Sequence, residues 1–304
     1  MSVDVVRNPI LIHPGISRGG SLAERLRAKT TKQLPLVLVH DGGGTAFSYF
    51  CIGPGLGRPL YGLDNPRMHQ GGYWDGGIAA MAEHYVTLLD RAFPKGAEIL
   101  LGGWSLGGAV SLQMAHILAT RDSSGPQIRV QGIIMIDTFY QRGLADATPD
   151  EQAALRKAVE ASGGPTLVRS ASEMGSMELK PKVDLNLMHA GAMLLEWRRP
   201  EWEGSRRPPP TVLLRARDPV PPEILPPVVR DGPGGRSVFD SVRHEPLLGW
   251  AEYNELNGRF FVAEDEVSGS HLSVFDQEHI DELVQKITKA TVLLESMPPD
   301  MVKN

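Results

Sequence analysis

Short apolar runs alternate with amphipathic segments along most of this chain, from residue 34 onward. An uninterrupted apolar run of roughly four to eight residues is typical of a strand buried on both faces, whereas apolar residues spaced three and four apart are typical of a helix. The strand-like runs are Leu34–His40, Pro59–Leu63, Glu98–Gly103, Val130–Asp137, Thr211–Arg215 and Arg259–Val262. The helix-like segments are Ile78–Phe93, Gly107–Ala119 and His279–Leu294. This alternation predicts an α/β fold with a mostly parallel sheet flanked by helices.

The alternation is lost over residues 141–210, and this stretch is predicted to be an insertion. It contains helix-like pieces at Asp150–Ser162 and Leu185–Trp197, and its Met and Leu content suits the wall of an apolar pocket. A structureless loop of this length is uncommon in a compact domain. We therefore predict one domain over residues 1–304 with an inserted helical lid at about residues 141–210.

The pattern Gly-x-Ser-x-Gly, which can mark a nucleophilic serine, occurs twice, around Ser17 and around Ser105. Such a serine needs a buried strand before it, a tight turn that exposes the hydroxyl, and a helix directly after it. Ser105 has all three, because Glu98–Gly103 precedes it and Gly107–Ala119 follows it. Ser17 is followed by Arg-Gly-Gly, and the helix signal begins later, at Ser21. Ser105 is therefore the predicted nucleophile, in a strand–turn–helix unit typical of the α/β-hydrolase fold.

A tetrahedral intermediate on Ser105 needs hydrogen-bond donors fixed where its negative oxygen forms. One donor is usually the backbone N–H of the residue after the nucleophile, which is Leu106 here. The other usually comes from a loop after an earlier strand. The glycine-rich turn DGGGT follows the strand Leu34–His40, so Gly42 or Gly43 is the predicted second donor.

Ser105 also needs a base, and five histidines follow it in the chain. Three of them lie on predicted helices or in the predicted lid: His116, His189 and His279. His271 lies in a Gly/Ser loop between the last predicted strand and the final helix, where this fold presents its base. His271 is the predicted base, and His244, which precedes Glu-Pro, is the alternative.

Two aspartates are candidates for the acid that orients the histidine. Asp137 ends the strand that follows the nucleophile unit, and Asp218 follows the next strand. Either one fits the chain order serine, acid, histidine. The residues themselves leave the choice between them open.

Charge and composition exclude several other functions. The 31 Lys and Arg against 36 Asp and Glu give a net charge of −5, which argues against a nucleic-acid or anionic-membrane surface as partner. No stretch approaches the roughly 18 apolar residues of a membrane span.

Cys51 is the single cysteine and no signal-peptide pattern precedes the domain, so we expect a cytoplasmic protein. Motifs for metal or nucleotide binding are absent from the sequence, and no cofactor is expected.

Five segments, in order, resemble the type I thioesterase domains of polyketide and nonribosomal peptide synthases: HDGGGTAFSY, YGLDNP, GGWSLGG, MIDTFY and SGSHLSVF. The resemblance covers most of the chain apart from the lid and the first 30 residues. In that family the acid follows the strand after the nucleophile, so the resemblance places it at Asp137. Free-standing relatives often carry it after the later strand, which keeps Asp218 as an alternative.

The resemblance implies a substrate held as a thioester on the phosphopantetheine arm of an acyl or peptidyl carrier protein. Its acyl chain would pass to Ser105 and leave by hydrolysis, cyclisation or transfer. The same machinery would serve a carboxylesterase or lactonase for small diffusible esters. A non-catalytic binding module with a hydrolase fold is the third alternative.

Overall fold

The computed structural model describes residues 7–15, 33–68, 74–122, 125–144, 148–150, 152–153, 176–225 and 237–298. Within these ranges the central element is a seven-stranded sheet. Its strands are β1 (Ile10–Pro14), β2 (Leu36–Val39), β3 (Pro59–Leu63), β4 (Ala97–Trp104), β5 (Ile128–Ile136), β6 (Thr211–Ala216) and β7 (Phe261–Val267). Their spatial order is β1-β3-β2-β4-β5-β6-β7, and every neighbouring pair is parallel except β1 and β3.

Helices connect and cover these strands. In the described ranges the helices are α1 (Gly53–Leu56), α2 (Gly77–Ala92), α3 (Leu106–Thr120), α4 (Leu179–Glu196), α5 (Ala251–Leu256) and α6 (Ile280–Ser296). Short 3-10 turns lie at Phe47–Cys51, Pro222–Ile224, Val238–Asp240 and Pro246–Gly249. No helix among the described residues is both long enough and apolar enough to cross a membrane.

The core lies on both faces of the sheet because successive side chains of a strand point to opposite faces. Along β2, Val37 and Val39 pack with α2 and α3, while Leu36 and Leu38 pack in the layer under α6. All four side chains are fully buried. The continuous apolar run that predicted this strand is therefore the consequence of burial on two sides.

Most predicted elements are confirmed with small shifts at their ends, and three differ more. β1 was not predicted, because it is a short antiparallel edge strand with a half-exposed pattern. The last strand is Phe261–Val267, not Arg259–Val262. The prediction ended too early because the strand continues through the polar run Glu-Asp-Glu. Helix α4 begins at Leu179, well before the predicted Leu185. Most of the predicted helix at Asp150–Ser162 lies outside the described residues.

Candidate active site

Ser105 lies in the turn between β4 and α3, at the carboxyl end of the sheet. Its backbone has φ 55° and ψ −119°, a conformation that L-residues rarely adopt and that is found at functional sites. The Ser105 N–H donates to the Ile136 carbonyl at 2.9 Å, which fixes the turn to the neighbouring strand β5. This tight turn presents the serine hydroxyl at the strand end. Ser17, the serine of the second Gly-x-Ser-x-Gly pattern, lies outside the described residues.

Glycines beside the turn let α3 pack directly on the sheet. A Cβ on Gly107 would lie 2.3 Å from the carbonyl oxygen of Val39, and one on Gly103 would lie 2.6 Å from that same oxygen. Both contacts are with backbone, which has little freedom to move. The glycines flanking the nucleophile are therefore required by the close approach of the helix and strand.

The structure brings Ser105, His271 and Asp137 together in one hydrogen-bonded chain. The Oγ of Ser105 is 3.1 Å from Nε2 of His271, and Nδ1 of His271 is 2.8 Å from Oδ2 of Asp137. His271 is 2% exposed and Asp137 is 1% exposed, so their interaction is shielded from water, while Ser105 is half-buried. This is the arrangement in which a histidine takes the serine proton and a carboxylate stabilises the resulting imidazolium.

Asp137 is held by contacts on both carboxylate oxygens. Its Oδ1 accepts a hydrogen bond from the Ala216 N–H at 2.7 Å, while Oδ2 faces His271. The Nη2 of Arg243 lies 3.7 Å from the same Oδ2, which is a charge contact and too long for a hydrogen bond. The carboxylate therefore has a fixed orientation, with one oxygen assigned to the backbone and one to the histidine.

Asp218, the alternative acid, contacts the loop that carries the histidine and not the histidine itself. Its Oδ2 accepts from the Gly269 N–H at 3.1 Å, and its own N–H donates to the Gly269 carbonyl at 2.9 Å. Asp218 thus stabilises the turn that places His271. Of the two aspartates, Asp137 is the one whose side chain bonds the imidazole.

The other candidate histidines have different surroundings in the described part of the chain. His244 is exposed, and His116 bonds the Glu201 carbonyl at 3.1 Å on the outer side of α3. His279 packs its ring against Gly269, and His189 lies on α4. Among the described histidines, His271 is the one that bonds the serine.

Three aromatic rings surround the imidazole of His271. Phe239 is stacked on it, with ring centroids 4.5 Å apart and planes at 18°. Phe139 meets it edge-on at 5.6 Å, and Trp104 lies at 5.8 Å. These rings exclude water and restrict the ring to one orientation, and the face of Phe239 also favours an imidazolium electrostatically.

The DGGGT loop follows β2 and lies beside Ser105, but its two candidate donors differ. The Gly43 N–H donates to Oδ1 of Asp41 at 3.1 Å, so that group is occupied in this structure. Gly42 makes no such bond within the described part of the chain. Leu106 is the first residue of α3, and its N–H therefore has no acceptor within the helix. Of the two candidate glycines, Gly42 is thus the one whose N–H does not bond Asp41.

Two ionisable groups lie at the start of this loop, the buried His40 and the half-buried Asp41. Burial raises the pKa of the Asp41 carboxyl to about 6, against smaller lowering effects of the Gly43 N–H and of His271. Burial lowers the pKa of His40 to about 4, so its ring is neutral near pH 7. The neutral ring bonds the Asp41 carbonyl through Nδ1 at 2.5 Å and the Tyr85 hydroxyl through Nε2 at 2.6 Å. These bonds set the direction in which the chain leaves β2.

Helix α4, which belongs to the predicted lid stretch, packs on the DGGGT loop. A Cβ on Gly42 would lie 3.0 Å from Cδ2 of Leu187 and 3.3 Å from Cβ of Ala190. The side chain of Asn186 accepts a hydrogen bond from Nδ2 of Asn65 at 3.0 Å, which joins α4 to the body of the domain. α4 therefore directly covers the DGGGT loop, residues 41–45, which is the candidate oxyanion loop.

Three residues around Ser105, His271 and Asp137 were not predicted from the sequence. They are Phe239, Asp240 and Arg243, all in a segment that follows β6 and that carries no recognised motif. The candidate in that segment was His244, one residue beyond Arg243, because histidine is a possible base by type. A buried Asp–Arg pair at positions i and i+3 gives no sequence signal that distinguishes it from an exposed pair.

Comparisons with known proteins show which family this chain is similar to. The family described as "Thioesterase domain" matches residues 34–186. Thioesterase frbE of Dothideomycetidae sp. (strain 11243) is 34% identical over 294 residues, covering 95% of this chain and 96% of that protein. Probable thioesterase gloN of Glarea lozoyensis is 33% identical over 301 residues, covering 93% and 96%.

Solved structures of thioesterase domains are also similar to this chain. The NocB thioesterase domain from the nocardicin cluster matches with 25% identity and a TM-score of 0.55, covering 86% of this chain and 95% of that one. The covalent complex of the NocB domain with a fluorophosphonate nocardicin G analogue matches with 26% identity and a TM-score of 0.54, covering 86% and 96%. These matches confirm the predicted α/β-hydrolase fold.

Proposed function

This chain belongs to the thioesterase domain family of serine hydrolases, and we propose that it releases a polyketide or peptide acyl chain from a carrier-protein thioester through an acyl-enzyme on Ser105. The observation that carries the proposal is the hydrogen-bonded chain from Ser105 through His271 to Asp137. Full-length similarity to proteins named thioesterases supports the choice of a thioester over other acyl donors.

The first half of the proposed reaction transfers the acyl group to the enzyme. As Ser105 Oγ attacks the thioester carbonyl carbon, its proton passes to Nε2 of His271, and Asp137 stabilises the imidazolium. The carbonyl oxygen becomes negative and accepts hydrogen bonds from the N–H groups of Leu106 and Gly42. When the intermediate collapses, the carbon–sulfur bond breaks and the pantetheine sulfur leaves with the proton from His271.

The second half frees the acyl chain. His271 takes a proton from water, or from a hydroxyl or amine of the acyl chain itself or of another acceptor, and the deprotonated atom attacks the ester carbonyl. The Ser105 oxygen then leaves with the proton. We propose that the lid stretch, about residues 141–210, decides between hydrolysis, cyclisation and transfer, since α4 covers the oxyanion loop and would contact the acyl chain.

The phosphopantetheine arm of a carrier protein is the proposed delivery route. The mechanism uses only side chains and backbone groups of the chain, so the arm enters as part of the substrate. The NocB complex carries a fluorophosphonate covalently, which makes such reagents suitable probes for a thioesterase domain of this kind.

The test compares two substrates with the same acyl chain, a pantetheine thioester and a simple oxygen ester. We expect faster turnover of the thioester and loss of at least about 10³-fold in Ser105→Ala, because the nucleophile is removed. Ser296→Ala, an exposed serine at the end of α6, is the matched control and should keep wild-type rates.

Three outcomes would change the assignment. Faster turnover of the oxygen ester would favour a carboxylesterase or lactonase. Undiminished turnover in Ser105→Ala would exclude Ser105 as the nucleophile. Failure of the wild-type protein to react with a fluorophosphonate would favour a non-catalytic binding module.

A further inference from the structure

A buried ionic cluster lies directly behind the acid of the triad, and the proposed mechanism does not use it. Its centre is Arg243, whose side chain is largely buried. The Nε of Arg243 donates to Oδ1 of Asp240 at 2.5 Å, and its Nη1 donates to the Ala216 carbonyl. Its Nη2 faces Oδ2 of Asp137 at 3.7 Å. Each of the three guanidinium nitrogens is thus directed at a different group.

Ala216 connects this cluster to the triad through its backbone. Its N–H donates to Oδ1 of Asp137, and its carbonyl accepts from Arg243. The guanidinium therefore fixes the same residue that orients the catalytic carboxylate. The second partner, Asp240, is fixed in turn, because its Oδ2 accepts from the Val220 N–H at 2.9 Å.

The charges in the cluster are not balanced while the histidine is neutral. Asp137 and Asp240 each contribute one negative charge, and Arg243 contributes one positive charge. A single negative charge therefore remains among buried groups, where a charge without a partner is costly. When His271 takes the serine proton, the cluster becomes neutral. The arrangement thus favours the imidazolium that forms in the transition state. Because Arg243 neutralises Asp240, the imidazole faces the negative charge of one carboxylate and not of two.

We propose that Arg243 is a positioning residue for the triad, which fixes the Asp137 carboxylate through Ala216 and, by neutralising Asp240, limits the negative charge beside His271 to that one carboxylate. The inference rests on the proposed function, since it presumes that His271 acts as the base.

Other charged groups also face this region, and the variants that test the proposal must leave them unchanged. The Arg215 guanidinium donates to the Arg243 carbonyl and pairs with Glu264 at 2.8 Å, so its charge is already matched. Asp218 faces the Gly269 N–H behind the histidine loop, and Asp41 faces His271 from the oxyanion loop. The variants that test the proposal alter none of these groups.

The test measures how the rate of fluorophosphonate inactivation depends on pH. This reaction needs a neutral base beside Ser105, so the rate falls on the acid side as the base becomes protonated. Arg243→Gln removes a positive charge that is separated from the imidazole by the Asp137 carboxylate. For charges about 6 Å apart at an effective dielectric constant of about 20 to 40, the acid limb should move to higher pH by roughly one to two units.

Asp240→Asn is expected to act in the opposite direction. It leaves the guanidinium charge unmatched beside Asp137, so protonation of His271 becomes less favourable and the acid limb should move to lower pH. Arg243→Lys keeps the charge and should keep the limb within about half a unit of wild type. A purely structural role would not predict shifts of opposite sign.

Arg58→Gln is the matched control, because Arg58 is likewise buried but pairs with Glu295 at 2.6 Å, away from the triad. Loss of a buried ion-pair partner should lower the melting temperature of this variant too, and its acid limb should stay at the wild-type position. Should Arg243→Gln fail to fold, Asp240→Asn and Arg243→Lys still carry the test.

An acid limb that stays at the wild-type pH in both Arg243→Gln and Asp240→Asn would overturn the proposal, and so would an equal shift in Arg58→Gln. These outcomes differ from failure of the proposed function, which would appear as a wild-type protein that does not react with the fluorophosphonate at any pH.

Discussion

Replacing Asp137 by asparagine is a sharp perturbation, because the structure determines how the new amide must lie. Oδ1 of Asp137 accepts from the Ala216 N–H at 2.7 Å, so the oxygen of an asparagine would take that position. Its NH₂ group would then face Nδ1 of His271. Nδ1 would have to accept, and the ring proton would move to Nε2, the nitrogen that must receive the proton of Ser105.

The expected loss follows from this wrong tautomer. The alternative amide orientation would bring NH₂ against the Ala216 N–H in a site that is 1% exposed, which leaves two buried donors facing each other. We therefore expect the tautomer to be held, and the rate of acyl-enzyme formation to fall by roughly 10³- to 10⁴-fold. At about 1.36 kcal/mol per tenfold, this is about 4 to 5 kcal/mol of transition-state stabilisation.

The assay is hydrolysis of a pantetheine thioester under single-turnover conditions, with Asp218→Asn as the matched variant. The side-chain oxygen that remains in Asp218→Asn can still accept from the Gly269 N–H, so the rate of this variant should fall less than about tenfold. Circular dichroism should show both variants folded. A loss in Asp218→Asn as large as or larger than that in Asp137→Asn would refute the reasoning and assign the acid to Asp218.

The remaining predictions concern stability around the site. Gly107→Ala places a Cβ 2.3 Å from the Val39 carbonyl oxygen, and chemical denaturation should show a loss of about 3 kcal/mol. Gly191→Ala in α4, where a Cβ meets nothing within 4 Å, should change stability by less than about 1 kcal/mol, and equal losses would contradict the close packing at the turn. Asp41→Asn should raise stability above pH 6 by roughly 2 kcal/mol and have little effect below pH 4. The raised pKa of Asp41, about 6, means that the folded wild type loses stability as the pH rises from about 4 to about 6. The lowered pKa of His40, about 4, means that the folded protein loses stability as the pH falls from about 6.5. In wild type the gain from protonating Asp41 offsets this loss, so the Asp41→Asn variant should lose stability more steeply on acidification than wild type. A variant no more stable than wild type at about pH 7.5 would contradict this.

The central part of the fold could be predicted because its strands are buried on both faces. The runs that became β2, β4 and β5 are continuously apolar, and each strand end was predicted within about two residues. The edge strands could not be predicted in the same way. In β7 the exposed face of an edge strand carries Glu264 and Glu266, which leaves too little apolar pattern to mark where the strand ends.

The site, too, could be predicted from the sequence only in part. Ser105 stands out because its strand, turn and helix are contiguous in sequence, and His271 because its loop follows the last strand. Asp137 and Asp218 follow neighbouring strands and both reach the histidine loop. The choice between them depends on side-chain direction, which a strand pattern does not encode. Arg243 contacts Asp137 and Ala216, which are far from it in sequence, so its place beside Asp137 emerges only in three dimensions.

The central claim is that Ser105 carries the acyl chain between the two halves of the reaction. Mixing the protein briefly with an acyl-phosphopantetheinyl carrier protein, quenching in acid and sequencing the peptides by mass spectrometry tests it directly. We expect the mass of the acyl chain on the peptide that contains Ser105, and no such adduct in Ser105→Ala. Release of the acyl product with no adduct on Ser105 at any time point, or an adduct on another residue, would contradict the account.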